Sequence, residues 1–468
     1  MLNTDSASEA SHSSDADIFS ERKACKLTVD RIATAKRFIQ DKKLVYCQTE
    51  GWALYDGHIW ISIPEYQLLS KLNMMIQALA IKHPEANIPI TSYLLKDILN
   101  LVKYEVNLEK IPAISSDLIP CLNKFLLWDD KTQNFVEVDP SPKQYVFHPL
   151  TVKYDPQATH PKFDAAIKRI MPCEYNRRVV QMYMGASLFS ENRTRKFMVF
   201  IGEGSTGKSM LIRLLQQILG QARCFDFRSA HLGENFALSS LTRHHTMLSA
   251  SEAIAGTLCG HGGEMIKKLV GGDEFASPMK HKNDSNEFIG RYSLFLVTNH
   301  KLRFEFDSKG KEWSDRLIVI YFRESIPDEE KDLELVDKLY KEEGSGILNW
   351  LIEGARMVRR NNWTIELTKG QRTDRDNLIA SSKPVQSFVQ KFISPSDEHF
   401  LSEDAYELYN RLHQERHLPY MERMAFMRKL AQEMVEQHNA TVNNNLRGHN
   451  GKTARGYKGF SLARLDEQ

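Results

Sequence analysis

Several absences narrow the class of this chain before any motif is considered. No apolar run approaches the roughly 18–20 residues needed to cross a bilayer, so no membrane partner is expected. The six cysteines (Cys25, Cys47, Cys121, Cys173, Cys224 and Cys259) are scattered with no C-x-x-C pair, which suggests neither a zinc cage nor a disulfide framework. The opening stretch holds Asp5, Glu9, Asp15, Asp17 and many serines but no lysine or arginine up to Ser20. That composition opposes a signal or transit peptide; it predicts a disordered tail over residues 1–24 and a cytoplasmic location. No repeat of solenoid period is visible. Residues 441–464 contain no acid, yet hold Arg447, Lys452, Arg455, Lys458 and Arg464 among four glycines.

What is present is ordinary in bulk: 468 residues, 42% hydrophobic, 26% charged, net charge +2. That length allows about three domains. A mixed α and β pattern over 25–170 includes Gly51 to Ile61, with Asp56-Gly57 as a hairpin signal, and helical stretches near 65–82 and 91–107. Prolines from Pro140 to Pro161 mark a junction, and 162–190 reads as helix. An α/β core is expected within 171–360, a polar connector over 361–383, and short amphipathic helices with a basic end over 384–468.

The strongest local signal is Gly202-Glu203-Gly204-Ser205-Thr206-Gly207-Lys208-Ser209, a complete G-x-x-x-x-G-K-[ST] phosphate-binding loop. An apolar run of strand length, Lys196 to Ile201, precedes it. A helical pattern carried by Leu211, Leu214, Leu215 and Ile218 follows and stops at Gly220. The glycines let amides turn around a polyphosphate, Lys208 reaches β- and γ-phosphates, and Ser209 ligates Mg²⁺. ATP with Mg²⁺ is therefore the expected ligand.

Phosphoryl transfer needs further groups. The strand-like run Thr246 to Ser251 ends in Glu252, a candidate general base and a candidate contributor to the Mg²⁺ shell. Another, Tyr292 to Val297, ends at Thr298-Asn299-His300, where Asn299 can sense the γ-phosphate or position water. Arg316 stands just before the run Leu317 to Ile320; in ring ATPases such an arginine reaches a neighbour's γ-phosphate, although an ion pair with Asp315 is the plainer alternative. Between these runs, Lys280-His281-Lys282 sits near the tip of a hairpin ending at Phe288, a basic point suited to single-stranded DNA or simply to solvent.

Taken together, these residues resemble the superfamily III helicases, most closely the helicase half of the phage- and plasmid-type primase-helicases, related to the poxvirus primase-helicase. The matching pieces are Gly207-Lys208-Ser209, Ser251-Glu252, Lys268-Leu269-Val270-Gly271-Gly272-Asp273, Thr298-Asn299-His300 and Trp313 with Arg316-Leu317, in order over about 196–325. The segment from Lys124 to Pro172 resembles the domain that precedes the ATPase in that family, and the stretch ending Gly456 to Leu462 resembles its winged-helix module. Where the family usually shows paired arginines after the tryptophan, Ser314-Asp315 intervene here. Clustered carboxylates and a zinc motif of a primase domain are not evident, so no priming activity is expected.

The resemblance implies an α/β, AAA+-like P-loop ATPase core, a mixed α/β N-terminal domain and a C-terminal winged-helix domain. It implies a ring, a hexamer being the form expected in this family, with Lys208, Ser209, Glu252 and Asn299 from one subunit and Arg316 from the next. It further implies 3′-to-5′ travel on one DNA strand; a separate primase is a candidate partner whose recruitment the sequence leaves open. Arg447, Lys452, Arg455 and Lys458 would contact duplex phosphates from the C-terminal module. A DNA-stimulated ATPase without unwinding, and an origin-binding regulator, remain alternatives.

Overall fold

The computed structural model describes residues 19–22, 26–83, 89–232, 234, 237–278, 285–299, 302, 311–380, 384–414, 420–447 and 453–463. The chain divides into two compact units, Met1–Lys153 and Tyr154–Gln468. The helix that opens near Pro161 thus falls in the second unit, although an N-terminal domain running to 170 is expected from sequence.

In the first unit, β1 (Phe19–Arg22) pairs antiparallel with β2 (Lys26–Val29), so part of the stretch read as tail is a strand. Residues 1–18 lie outside the described residues. Asp30 accepts hydrogen bonds from Ile32 N and Ala33 N and thereby opens α1 (Arg31–Asp41). Strands β3 (Leu44–Cys47), β4 (Gly51–Tyr55) and β5 (Trp60–Ile63) form a meander. Asp56 Oδ1 accepts from His58 N and Ile59 N at the turn where Gly57 has φ 106°. Helix α2 (Glu65–Lys82) buries Leu68, Leu72, Ile76 and Leu79, one face of a 3.6-residue period. Helix α3 (Ser92–Glu105) is capped by Thr91. β6 (Asn107–Leu108) joins β3 in parallel, giving the order β5-β4-β3-β6. β7 (Leu118–Pro120), β8 (Phe125–Asp129) and β9 (Asn134–Val138) make a separate antiparallel sheet.

The second unit opens with α4 (Pro161–Ile170) and α5 (Glu174–Ala186); Pro172 divides what reads in sequence as one helical stretch. Next come β10 (Phe197–Gly202), α6 (Lys208–Leu219), β11 (Cys224–Asp226), β12 (Met247–Ala250) and α7 (Gly260–Gly271). The hairpin β13 (Glu274–Pro278) and β14 (Ser285–Ile289) precedes β15 (Ser293–Thr298), α8 (Lys311–Arg316), β16 (Leu317–Phe322) and α9 (Leu335–Arg360). The five strands run parallel in the order β11-β12-β15-β10-β16. Every residue of β15 is buried, as a strand covered on both faces requires.

Two long-range devices fix the helices around this sheet. Helices α5 and α9 cross where a Cβ on Gly354 would lie 2.0 Å from the Gln181 carbonyl, so only glycine fits. The buried Glu343 carboxylate accepts Lys162 N and Phe163 N, each at 2.8 Å, and so caps the first turn of α4 from a helix 180 residues away.

The stretch 361–383, expected as a polar connector, instead contains α10 (Lys369–Ala380). Its charged sequence hides two buried positions, Gln371 and Leu378, and Leu378 belongs to the core of the sheet. The chain continues through α11 (Pro384–Phe392), β17 (Ile393–Leu401), α12 (Ser402–Gln414), α13 (Arg423–His438), β18 (Asn443–Arg447) and β19 (Thr453–Leu462). These three helices share a core of Phe388, Tyr409, Phe426, Leu430 and Tyr457 with an antiparallel sheet ordered β17-β19-β18. The basic end read in sequence is thus largely strand. No helix among the described residues is long and apolar enough to cross a membrane.

Candidate nucleotide site

In a parallel sheet all strand carboxyl ends open on one edge, and loops there form a crevice. Ile201 is level with Thr298, and Ala250 with Leu296. The loop after β10, Glu252 after β12 and Asn299 after β15 therefore gather on the same edge. Because β15 lies between β10 and β12, Asn299 borders the glycine loop directly and Glu252 lies one strand further out.

The loop Gly202 to Ser209 is shaped by close approach and by left-handed backbone. A Cβ on Gly202 would meet the Phe322 carbonyl at 2.3 Å. Gly207 has φ +85°, and a Cβ there would lie 2.7 Å from Ile170 Cγ2 at the end of α4. Between them Glu203, Gly204 and Ser205 are exposed, whereas Thr206 is buried and donates to the Glu203 carbonyl at 3.1 Å. Ser205, at φ 60°, accepts Ile326 N at 2.8 Å, tying the loop to the segment after β16.

Lys208 opens α6 and is 5% exposed. Its ammonium donates to the Gly202 carbonyl at 2.8 Å, the Glu203 carbonyl at 2.5 Å and Thr206 Oγ1 at 3.0 Å. Burial pulls its pKa below the usual lysine range. Ser209, the next residue, is exposed in the first turn of α6. A helix N-terminus, a glycine loop, an ammonium at the mouth and a free hydroxyl are the donor set that a phosphate chain with a hard divalent cation requires. The residues present fit that group.

Glu252 and Asn299 are both exposed at this edge, and neither side chain is engaged in an ion pair among the described residues. A carboxylate and an amide there can accept from, and orient, a water molecule. Further out, Asp226 at the end of β11 accepts Gln216 Nε2 on both oxygens, at 2.9 and 3.1 Å, and is bonded by Ser249 Oγ. No sequence signal marks Asp226.

Arg316 lies elsewhere. It ends α8, immediately before Leu317, and Leu317 is level with Phe197, the first residue of β10. It therefore stands at the amino-terminal edge of the sheet, a strand length of about 20 Å from the glycine loop at roughly 3.3 Å per residue. No ion pair joins it to Asp315 among the described residues; its Nη1 donates to the Glu312 carbonyl at 3.0 Å. Its Nε is buried without a partner. Two more cations serve the carbonyls closing α8: Arg375 Nη1 donates to Ser314 at 2.8 Å, and Lys196 Nζ to Asp315 at 2.9 Å. Burial, then Arg375, lowers the Lys196 pKa.

The hairpin β13–β14 is in register from Glu274 with Ile289 to Pro278 with Ser285. Its tip, including Lys280, His281 and Lys282, lies outside the described residues. At its root a Cβ on Gly290 would fall 1.5 Å from the Lys268 carbonyl. In the C-terminal module Arg447, Arg455 and Lys458 are exposed, and Lys452 lies outside the described residues. Arg428, Lys429 and Gln432 are exposed on α13 opposite the buried stripe Phe426, Leu430 and Met434. That stripe recurs at helical spacing in the sequence, whereas no local pattern marks the cations on its far side.

Comparison with known protein families and with curated proteins finds no match. Among solved structures the chain is similar to apo forms of the NrS-1 C-terminal region. One is 11% identical with TM-score 0.50, covering 92% of this chain and 99% of that one. A second is 10% identical with TM-score 0.51, covering 92% and 100%. A third is 11% identical with TM-score 0.52, covering 94% and 100%. At such identities the likeness establishes a shared fold across most of the chain.

Proposed function

We propose that this protein is an ATP-dependent DNA helicase that works as a ring, most simply a hexamer, in the replication of a phage, plasmid or other mobile element. One observation carries the reading: the glycine loop, Lys208, Glu252 and Asn299 share one edge of the sheet, while Arg316 stands at the other. Lys208 holds β- and γ-phosphate oxygens, Glu252 takes the proton of the attacking water, and Asn299 orients that water. Ser209 and Glu252 would hold Mg²⁺, which would supply neutralisation of phosphate charge. Arg316 is too far from its own loop to act there, and serves the loop of the adjacent subunit. The basic hairpin then grips one DNA strand in the ring, and this family's 3′-to-5′ direction is the expected polarity.

The helix–strand order of the C-terminal module, three helices with a β-hairpin carrying Arg447, Arg455 and Lys458, supports its reading as a winged helix on duplex DNA. Arg428 and Lys429, exposed on α13, are further candidates for phosphate contact. Because this module has a hydrophobic core of its own, an origin-binding ATPase without robust unwinding is the second reading. Phosphate release with and without single-stranded DNA, beside unwinding of a forked duplex, decides. DNA-stimulated turnover with strand separation supports the helicase. Strand separation that survives Lys208→Ala while hydrolysis is lost rules it out.

A further inference from the structure

The backbone that carries Glu252 is held by buried hydroxyls from neighbouring strand ends. After Ala250 the chain leaves the sheet ladder, and Ser251 and Glu252 form a turn with no ladder bonds. Ser229, 7% exposed, donates to the Glu252 carbonyl at 3.1 Å and accepts Ile254 N at 3.1 Å. Thr298, 2% exposed, donates to the Ala253 carbonyl at 2.7 Å, and Ala253 N returns to the Val297 carbonyl at 2.8 Å. Thr257 donates to the Ile254 carbonyl at 2.7 Å from the far side of the turn. Residues 252–254 are thus fixed on both flanks while the Glu252 side chain remains exposed.

Thr298 also immediately precedes Asn299. Its one hydroxyl therefore joins the two exposed polar groups of this edge into a single body, with the Glu252 turn stitched to the strand that ends in Asn299. Removing it leaves the Ala253 carbonyl short of a partner and loosens the turn's tie to β15, which then rests on the Ala253 N bond to Val297. A displacement of about 1 Å in a reacting group costs on the order of 100-fold in rate.

We propose that Ser229 and Thr298 are positioning residues that hold Glu252 and Asn299 in fixed relation, governing the rate of hydrolysis without contributing to nucleotide affinity. This rests on the reading of Glu252 and Asn299 given above. The bland alternative is that both hydroxyls merely stitch a surface turn, and the two differ in what they couple to.

The test uses the full chain with Ser229→Ala, Thr298→Val, Thr298→Ser and Glu252→Gln, and each of the first two combined with Glu252→Gln. Binding of a fluorescent ATP analogue, kcat for phosphate release and the melting temperature are measured for all. The expected result is affinity within about 2-fold of the parent, with kcat down about 10- to 100-fold in Thr298→Val and less in Ser229→Ala. Thr298→Ser restores most of the rate. In the Glu252→Gln background neither substitution slows the reaction further, because the group they position is gone. Equal slowing in both backgrounds, or affinity falling as far as kcat, overturns the proposal. If Thr298→Val fails to fold, the Ser229→Ala cycle reads the same coupling. Should the parent hydrolyse no ATP, the reading of the site falls too. Should Glu252→Gln alone abolish turnover while both hydroxyl variants run at full rate, only this proposal falls.

Discussion

The two edges of the parallel sheet are chemically unlike. At the carboxyl edge, Glu252 and Asn299 are exposed and Lys208 is a buried ammonium held by its own loop. At the amino edge, Lys196, Arg316 and Arg375 crowd the end of α8, held by the carbonyls of Asp315, Glu312 and Ser314. Cations at the last turn of a helix are favoured by the unsatisfied carbonyls there, so this patch is stable in isolation. The contrast teaches that the exposed polar groups of one edge and the cation cluster of the other stand a strand length apart and do not meet within one chain. In the ring proposed above, the amino edge of one copy would face the carboxyl edge of the next.

The sharpest way to break this comparison is at Arg316. Arg316→Ala is expected to lower kcat by about 10³-fold. Mixing it with inactive Lys208→Ala protein should restore part of the phosphate release, since some interfaces then carry both intact halves. Failure to recover activity at any mixing ratio would place Arg316 outside the site. On the opposite edge, Glu252→Gln should reduce phosphate release about 10²- to 10⁴-fold while nucleotide titration stays near the parent value. A parallel collapse of affinity would show that the carboxylate binds rather than activates.

Two smaller effects sharpen the contrast by acting at neither edge. Glu343→Ala removes the acceptor of two amides at the start of α4, whose far end braces Gly207. It should cost about 1–3 kcal/mol in denaturant unfolding. Smallest are Arg428→Ala and Lys429→Ala on α13: each should weaken duplex binding and reduce the slope of log K against log salt by about one, with turnover off DNA unchanged. An unaltered salt slope would remove α13 from the duplex-facing surface.

Much of the architecture is legible in local pattern. The strand before Gly202, the helix after it, and the helix at 65–82 announce themselves because apolar spacing over several turns is a short-range signal. The glycine loop is equally local. What escapes is carried by contacts distant in sequence. Glu343 looks like any acid on a charged helix until its partner amides at 162 and 163 are placed beside it. Helix α10 reads as connector because only two of its twelve residues, Gln371 and Leu378, are buried. Asp226 and Ser229 carry no motif, and Thr298 stands in one without its hydroxyl's partner being visible there, since these roles arise from where neighbouring segments of the chain meet. That Arg316 cannot serve its own loop follows from strand register, which no spacing along the chain reveals.

Strand β15 has a mechanical consequence. It is bonded on both sides, by β12 and β10, and buried throughout, so it has no slack along its length. Asn299 stands at its tip, and at its base Gly290 is jammed against the Lys268 carbonyl at the foot of the hairpin. Its tip and its base are therefore tied through one fully bonded segment, and a cavity opened midway along it, as by Leu296→Ala, should be felt at both ends at once.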